Sequence, residues 1–554
     1  MVRFESLWMK RDIAALCDET FDLVVIGAGV YGAAITWDAA LRGLKVALID
    51  KGDFGSGTSF NNLKTVHGGI RYLQHADLKR MRESVRERRS LMRIAPHLVH
   101  PLPFLVPTYR GQLKKGRAAM RVALVLNDIV SWDRNRLADP SKHLPAGRVL
   151  SRDECLELAP GIERDKLTGA VLWYDAQMHN SDRLTLSFVL SAAENGAKVA
   201  NYVEATGFLT ERGRVAGIVA RDGLAATEGI SIRGRVVVNA AGPWVDRVLS
   251  RGSGDARGSL FNFSKAMNLV TRPVVNDVAL GVTSRRPHRD RDALLDTGGR
   301  FLCLIPWRSV SLIGTAHAPY TGEPDELQTS EEEILDLLED VNDAYPEARL
   351  ERSDVRLVHQ GILPMVPGSS ECEGVTLLKS YRIDERIEGL ISVVGVKYTT
   401  ARDVAERVVD HAAARLNCSS LRSRSASTPL VGGDIESFPD FLDAAQGSAP
   451  ADVVRHLVYT YGSRYRRILD YADPRRIAED SPVLETELRH AVREEMACDL
   501  ESVILRRTEL GTAGHPGRAV LEKAADIVRS ELGWSDDRKA SELERVESFY
   551  RNRS

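Results

Sequence analysis

The sequence predicts an α/β protein: a Rossmann-like dinucleotide-binding unit, an antiparallel-sheet region and an all-α carboxy-terminal part. Three observations predict it. "FDLVVIGAGVYGAAITWDAALRGLKVALIDKGDF" (residues 21–54) reads as strand, glycine turn, helix, strand. "RFLCLIPWRSVSLIG" (300–314) reads as a hairpin, Phe301 to Ile305 and Val310 to Ile313, around Trp307-Arg308-Ser309. The polar stretch "SSLRSRSASTPLVGGD" (419–434) reads as a linker, and helical patterns follow it to the end.

In the first unit, Leu23 to Ile26 is a continuous apolar run, as in a strand buried on both faces. Gly27, Gly29 and Gly32 then form GxGxxG between that strand and a helix. Gly27 permits the tight turn, Gly29 lets a pyrophosphate approach the backbone, and Gly32 lets helix and strand pack closely. The helix N-terminus faces the anion with free N–H groups and the positive end of its dipole. The helix runs to about Arg42, and Gly43 ends it. "LKVALID" is the second strand, and Asp50 at its end stands where an acid binds an adenosine ribose.

That pattern serves NAD and FAD alike, and three later features favour FAD. "GSGTSFNN" follows the second strand directly, where an NAD domain continues into a helix. "GRVVVNAAGPWVDRVL" (234–249) reads as a late strand returning to the nucleotide unit, with a small-residue turn at Asn239 to Trp244. "GLISVVGVKYTTARDVAERVVDHAAARL" (389–416) reads as a strand, a Gly-Val-Lys turn, two threonines and a helix with Val404, Val408 and Ala412 on one face. "TSEEEILDLLEDVNDAYP" (329–346) reads as a helix capped at Thr329 or Ser330, with acids in its first turn.

Composition limits the function classes. The chain has 554 residues, of which 43% are hydrophobic and 27% charged, and its net charge is -2. Nothing in that balance points to nucleic acid. The six cysteines are scattered without a CxxC pair, so neither a metal site nor a disulfide framework is expected, and a reducing cytosol fits. No apolar run reaches the roughly 18 residues that span a bilayer. "MVRFESLWMKRDIAALCDET" lacks a signal-peptide core and is expected to form a short amphipathic helix before the first strand.

In "DAALRGLKVALIDKGDFGSGTS", "HGGIRYL", "NAAGPWVD", "IPWRSVSLIGTAHAPYTGEPDEL", "GVKYTTAR" and the carboxy-terminal "REEMACDLESVILRRTELG", Arg493 to Gly511, the chain resembles the FAD-dependent glycerol-3-phosphate dehydrogenases, within the D-amino-acid-oxidase-like flavoproteins. The resemblance covers nearly the whole chain. It implies an FAD-binding domain from about residues 18–100, 180–250 and 380–418, interleaved with a substrate domain from about 101–179 and 251–379. A helical domain, 431–554, would follow. It implies oxidation of sn-glycerol 3-phosphate to dihydroxyacetone phosphate, with electrons passed to quinone. A homo-oligomer is expected, in the cytoplasm at the inner face of the membrane. The basic, partly apolar segments 81–99 and 111–132 are the candidates for lipid contact.

The resemblance also assigns residues. Thr58 and Ser59 would bond the flavin diphosphate or ring edge, and Gly242, in the late turn, would also bind the cofactor. His67, Gly68 and Gly69 would lie beside the isoalloxazine ring. Arg71 would bind the substrate's phosphate, to which its planar fork is suited. Lys397 would stabilise negative charge on the reduced cofactor, with Thr399 and Thr400 as flavin or helix-cap ligands. His67 and His317 are the candidate bases for the substrate hydroxyl.

The chain departs from the family on the substrate side. Phe60, Asn61, Asn62 and Leu63 replace Ser-Arg-Ser-Thr, and Asn268 stands for an active-site His. Gly314-Thr315-Ala316-His317 replaces Gly-Thr-Thr-Asp. Ile362 stands for a second phosphate-binding Arg, Val396 for a Gly, and Ala401 for a Tyr. Arg308 and Arg356 are the candidates to replace the lost guanidinium. A different small hydroxy or amino substrate, or a catalytically impaired flavin-binding relative, is the alternative reading.

Overall fold

Two sheets share the chain out of sequence order. The structure, a computed structural model, describes residues 9–75, 77–111, 117–253, 259–287, 299–366 and 375–553. The first sheet runs Arg382–Ile387, Leu390–Val394, Thr227–Asn239, Thr20–Ile26, Val46–Ile49, Lys198–Ala200. Its five strands from Leu390–Val394 to Lys198–Ala200 pair in parallel. Val203–Glu211 and Arg214–Asp222 extend it as an antiparallel ribbon.

The strand Thr20–Ile26 is apolar from Leu23 to Ile26 because both of its faces are covered there: Leu23, Val24 and Val25 are fully buried. Helix Val30–Leu41 lies against this sheet between helices Ser181–Glu194 and Ala401–Arg415. It has no polar face, since all but Tyr31 of its residues are buried. The expected amino-terminal helix is Ile13–Asp18; residues 1–8 lie outside the described residues.

Register puts the functional ends together. Ile26 is level with Ile49 and Asn239, and Asn239 with Ser392. Four parallel strands therefore end at one edge, where Gly27, Asp50, Ala240 to Gly242 and Gly395 to Lys397 follow them. A ligand of an open α/β sheet binds at such an edge.

Among the described residues the second sheet has nine strands, antiparallel except for one parallel contact between Ala279–Pro287 and Val99–Tyr109. The expected hairpin is there, as Gly299–Trp307 paired with Val310–Tyr320. Asn262–Thr271 lies between Val310–Tyr320 and Val355–Met365. These three strands carry the substrate-side departures at 268, 316, 317 and 362. Helix Glu331–Ala344 has the expected cap: the Ser330 hydroxyl accepts from Glu333 N–H, and the Glu333 carboxylate accepts from Ser330 N–H.

The tail is helical from Phe438 onward, and its core is continuous with that of the second sheet. Leu488, Ile504, Leu521 and Tyr550 pack in one cluster with Phe60, Leu102, Trp173 and Trp307. The stretch 419–434 has no helix or strand, yet it is tucked in: Leu430 N–H donates to Ile94 O at 2.9 Å.

One expectation needs correction. Segment 81–99 was a candidate for lipid contact, but helix Leu78–Ile94 turns Met81, Val85, Leu91, Met92 and Ile94 into the interior. Some of its charges are internal too. Glu87 pairs with Arg402 at 2.6 Å and Arg88 with Asp175 at 2.5 Å, all four side chains being buried. Segment 111–132 differs. Residues 112–116 lie outside the described residues, and the helix Arg117–Val130 that follows exposes Val122, Val125, Leu126 and Ile129.

Candidate functional site

A cleft of about 510 Å³ runs from the edge of the first sheet onto the face of the second. Gly27, Gly29, Asp50, Thr58, Ser59, Gly242, His317 and Lys397 all line it.

At the first-sheet end, Gly27 has φ +95, and a Cβ there would stand 2.7 Å from Ala240 O. Gly32 is held against Gly27 O without space for a side chain, which is the close helix–strand packing expected of it. A Cβ at Gly29 would meet only the Ser59 hydroxyl, at 3.2 Å. That hydroxyl caps the helix from outside by accepting from Val30 N–H at 2.9 Å. Bare backbone, a hydroxyl and a helix N-terminus thus meet at one point, a donor set suited to a diphosphate. Asp50 accepts from Ala28 N–H at 2.6 Å and Gly52 N–H at 2.8 Å. Burial pushes its carboxyl up to about 6 against those two bonds. The other charges here are ion-paired: Lys51 and Arg247 share Asp325, and Arg251 and Arg221 share Glu204. These residues fit the adenosine diphosphate half of FAD.

At the other end, Thr58 bridges the two sheets. Its hydroxyl donates to Ile362 O at 3.0 Å and accepts from Ile362 N–H at 3.3 Å. The Thr315 hydroxyl donates to Asn268 Oδ1 at 2.8 Å, which turns the Asn268 amide N–H groups away from it. Ser264 Oγ is 3.5 Å from His317 Nδ1, and Ala266 is level with His317 across the strand pair. Lys397 Nζ stands 4.3 Å from the centroid of the Tyr72 ring.

Other expected site residues are placed outside the lining. Gly68 N–H donates to Asp175 Oδ1 at 2.5 Å, and Gly68 faces the Arg88 guanidinium with no space for a Cβ. Gly69, at φ +83, is fitted against the Tyr72 ring. His67 packs edge-on to Tyr72, the ring centroids 5.9 Å apart. Thr399 is buried, and Thr400 opens helix Ala401–Arg415 without a side-chain cap bond. Arg71 lies in the 3-10 turn Ile70–His75, and its side chain lies outside the described residues.

Neither proposed replacement arginine reaches the cleft. The Arg308 guanidinium is bound to Glu509 at 2.7 Å and Thr512 at 2.9 Å. Arg356 is exposed beside Gly514 of the tail. Ile362, 4% exposed, fills its place with hydrocarbon.

Sequence reading missed Tyr31. Its hydroxyl donates to Lys397 O and accepts from Val396 and Lys397 N–H, so it holds the lysine turn. It also missed Asp53, a wholly buried carboxylate within the cofactor loop. A Tyr beside the glycine turn and an acid next to Asp50 were the only signals of either.

The family described as "FAD dependent oxidoreductase" matches residues 22–397, and the "C-terminal domain of alpha-glycerophosphate oxidase" matches 423–539. The chain is 31% identical to the mitochondrial glycerol-3-phosphate dehydrogenase of Macaca fascicularis, over 96% of this chain and 73% of that one. It is 32% identical to the glycerol-3-phosphate dehydrogenase of Mycobacterium leprae, over 97% and 88%. The crystal structure of glycerol-3-phosphate dehydrogenase from Bacillus halodurans, complexed with FAD, superposes with a TM-score of 0.76 at 26% identity, covering 98% of this chain and 96% of that one.

Proposed function

This chain belongs to the family of FAD-dependent glycerol-3-phosphate dehydrogenases, and on that premise we propose that it oxidises sn-glycerol 3-phosphate to dihydroxyacetone phosphate and passes the electrons to a quinone. The observation that carries the reading is the continuous cleft. It joins the glycine turn and Asp50 to His317, Asn268, Thr315 and Lys397.

Gly27, Gly29 and Ser59 would hold the diphosphate of FAD, and Asp50 its ribose. When bound, FAD would supply a two-electron acceptor for hydride from the carbinol carbon. His317 lines the cleft and His67 does not, so the proton of the substrate hydroxyl is assigned to the His317 imidazole. The Asn268 amide would donate to the same oxygen and orient it. Lys397 supplies positive charge against the substrate anion or the electron-rich cofactor.

The quinone and membrane parts of the reading rest on helix Arg117–Val130. Val122, Val125, Leu126 and Ile129 form one outward stripe, and Trp132 follows it; the five are between 45% and 63% exposed. The Arg136 guanidinium stands 4.3 Å over the Trp132 ring. An apolar stripe with an indole and a cation at its edge suits the surface of an anionic bilayer, where a quinone is reached. Among the described residues, no helix is long and apolar enough to cross a membrane.

A second reading is favoured by Ile362, Asn268 and His317 together: a different small hydroxy or amino substrate. Anaerobic mixing decides between them. Glycerol 3-phosphate should bleach the bound flavin at micromolar concentration and sustain turnover with a quinone analogue. A protein that stays yellow with it, but bleaches with another small alcohol or amine, supports the second reading. Flotation with anionic liposomes at low salt tests the membrane face. Loss of flotation in Ile129→Asp with Trp132→Ala is expected, and no flotation of the unaltered chain overturns the assignment.

A further inference from the structure

The loop from Asp50 to Ser59 has two working faces. One is fastened to the glycine turn: Asp50 accepts from Ala28 N–H, Gly55 N–H donates to Ala28 O at 3.0 Å, and the Ser59 hydroxyl caps Val30. The other is fastened to the tail through Asp53. This carboxylate accepts from Arg507 Nη1 and Nη2 at 2.8 Å each, Arg506 Nε at 2.7 Å and Asn201 Nδ2 at 3.0 Å.

The two arginines belong to the π-helical turn Val503–Arg507, whose Val503, Ile504 and Leu505 are buried in the core shared by the tail and the second sheet. They are themselves fixed: Arg507 Nε donates to Glu495 O at 3.0 Å, and Arg506 Nη1 pairs with Glu501 at 3.0 Å. Burial alone would raise the Asp53 carboxyl. Arg507 and Arg506 outweigh it and hold the group well below the usual carboxylate range. A buried, bidentate, fully bonded ion pair has one geometry, and disturbing either partner leaves a charge uncompensated.

We propose that the tail is a working part of the cofactor site: Asp53 and the Arg506–Arg507 pair position the Asp50–Ser59 loop, so that retention of FAD and docking of the tail are thermodynamically linked. None of the three lines the cleft, so they are positioning residues that act through Asp50 and Ser59. The proposal rests on FAD as the cofactor and is independent of the substrate. Linkage between two sites is reciprocal, so each event must stabilise the other.

Two measurements on the full chain test it. The first is the rate at which the holoprotein loses FAD on dilution, followed by flavin fluorescence. The second is the rate at which trypsin clips the tail, followed by mass spectrometry with and without bound FAD. Arg507→Gln and Asp53→Asn should lose FAD about tenfold to a hundredfold faster, the range of ordinary coupling between sites. Arg507→Lys should fall in between. Arg518→Gln breaks an exposed bridge to Glu522 within one helix of the tail and should lose FAD at the wild-type rate. In the wild type, removing FAD should speed tail clipping by about tenfold. Wild-type FAD loss in Arg507→Gln, or equal clipping with and without FAD, overturns the proposal. If the variants do not fold, the wild-type clipping comparison decides alone.

Discussion

The Tyr31 hydroxyl donates to Lys397 O at 2.7 Å and accepts from Lys397 N–H at 3.1 Å, tying the helix of the glycine turn to the lysine-bearing turn far along the chain. It accepts from Val396 N–H as well, at 3.1 Å. Gly395 is fitted so closely to the Tyr31 ring that a Cβ would overlap it. The position of the Lys397 backbone is therefore set by Tyr31. Tyr31→Phe leaves two N–H groups and a carbonyl without their partner, at about 1–3 kcal/mol for each that stays unsatisfied. The expected result is a protein that keeps its FAD but reduces it about tenfold to a hundredfold more slowly, as a small misplacement near the chemistry does. Stopped-flow flavin reduction measures this; a wild-type rate would show that the turn does not depend on Tyr31.

Ile362 gives the sharpest test of substrate class. Its backbone is already fixed by Thr58, so Ile362→Arg changes what enters the cleft and leaves the strand in place. A guanidinium on a phosphate is worth roughly 1.5–3 kcal/mol. The expected result is a KM for glycerol 3-phosphate about 10- to 150-fold lower, with kcat little changed. An unchanged KM in a variant with a normal melting temperature would mean that the substrate's anionic end does not lie at 362.

What could be read in the sequence was what is local. The strand–glycine–helix–strand unit, the hairpin at 299–320 and the capped helix at 331 each carry their signal within a few residues. Asp50 was recognised because it closes such a unit. Tyr31, Asp53, Arg506 and Arg507 act on partners hundreds of residues away, and nothing in their own neighbourhoods marks those contacts. Arg506-Arg507 falls inside the carboxy-terminal signature, but nothing there points to their burial on Asp53. Arg308 sat at a hairpin tip and looked available, but the packing of that tip on the tail commits it to Glu509. The charges of helix Leu78–Ile94 misled for a similar reason. Their partners Arg402 and Asp175 come from other elements, so a basic, exposed-looking helix became an internal one.

Asp50 predicts a pH dependence of cofactor affinity. Its carboxyl is pushed up to about 6 by burial. A ribose hydroxyl donates best to the ionised form, so binding FAD must release a proton wherever Asp50 is protonated in the free protein. Affinity for FAD should therefore fall as pH drops below about 6 and level off above it. Titration of FAD-depleted protein between pH 5 and pH 8 measures it. Asp50→Asn should bind more weakly and show a flat profile, and a retained pH dependence would place the titrating group elsewhere.

His456 makes the tail sensitive to alkali. It lies buried between Glu487, at 2.9 Å from Nε2, and Glu509, at 3.5 Å from Nδ1. Burial opposes its charge, but Glu487 and Glu509 outweigh that and push its pKa up to about 10. Because the folded value lies above the ordinary one, the stabilisation is fully present below about pH 6.5 and is lost as pH rises through about 10. Glu509 also holds Arg308 and His179, so the loss falls on the joint between tail and second sheet. His456→Gln removes the titrating cation and should cost about 3–5 kcal/mol near neutrality, the usual result of breaking a buried pair. The difference between wild type and variant should shrink toward pH 10, because there the wild type has lost the same charge. Urea unfolding of both proteins at pH 7 and pH 10 reads that difference directly, and a gap of equal size at both values would mean that His456 is neutral in the folded protein.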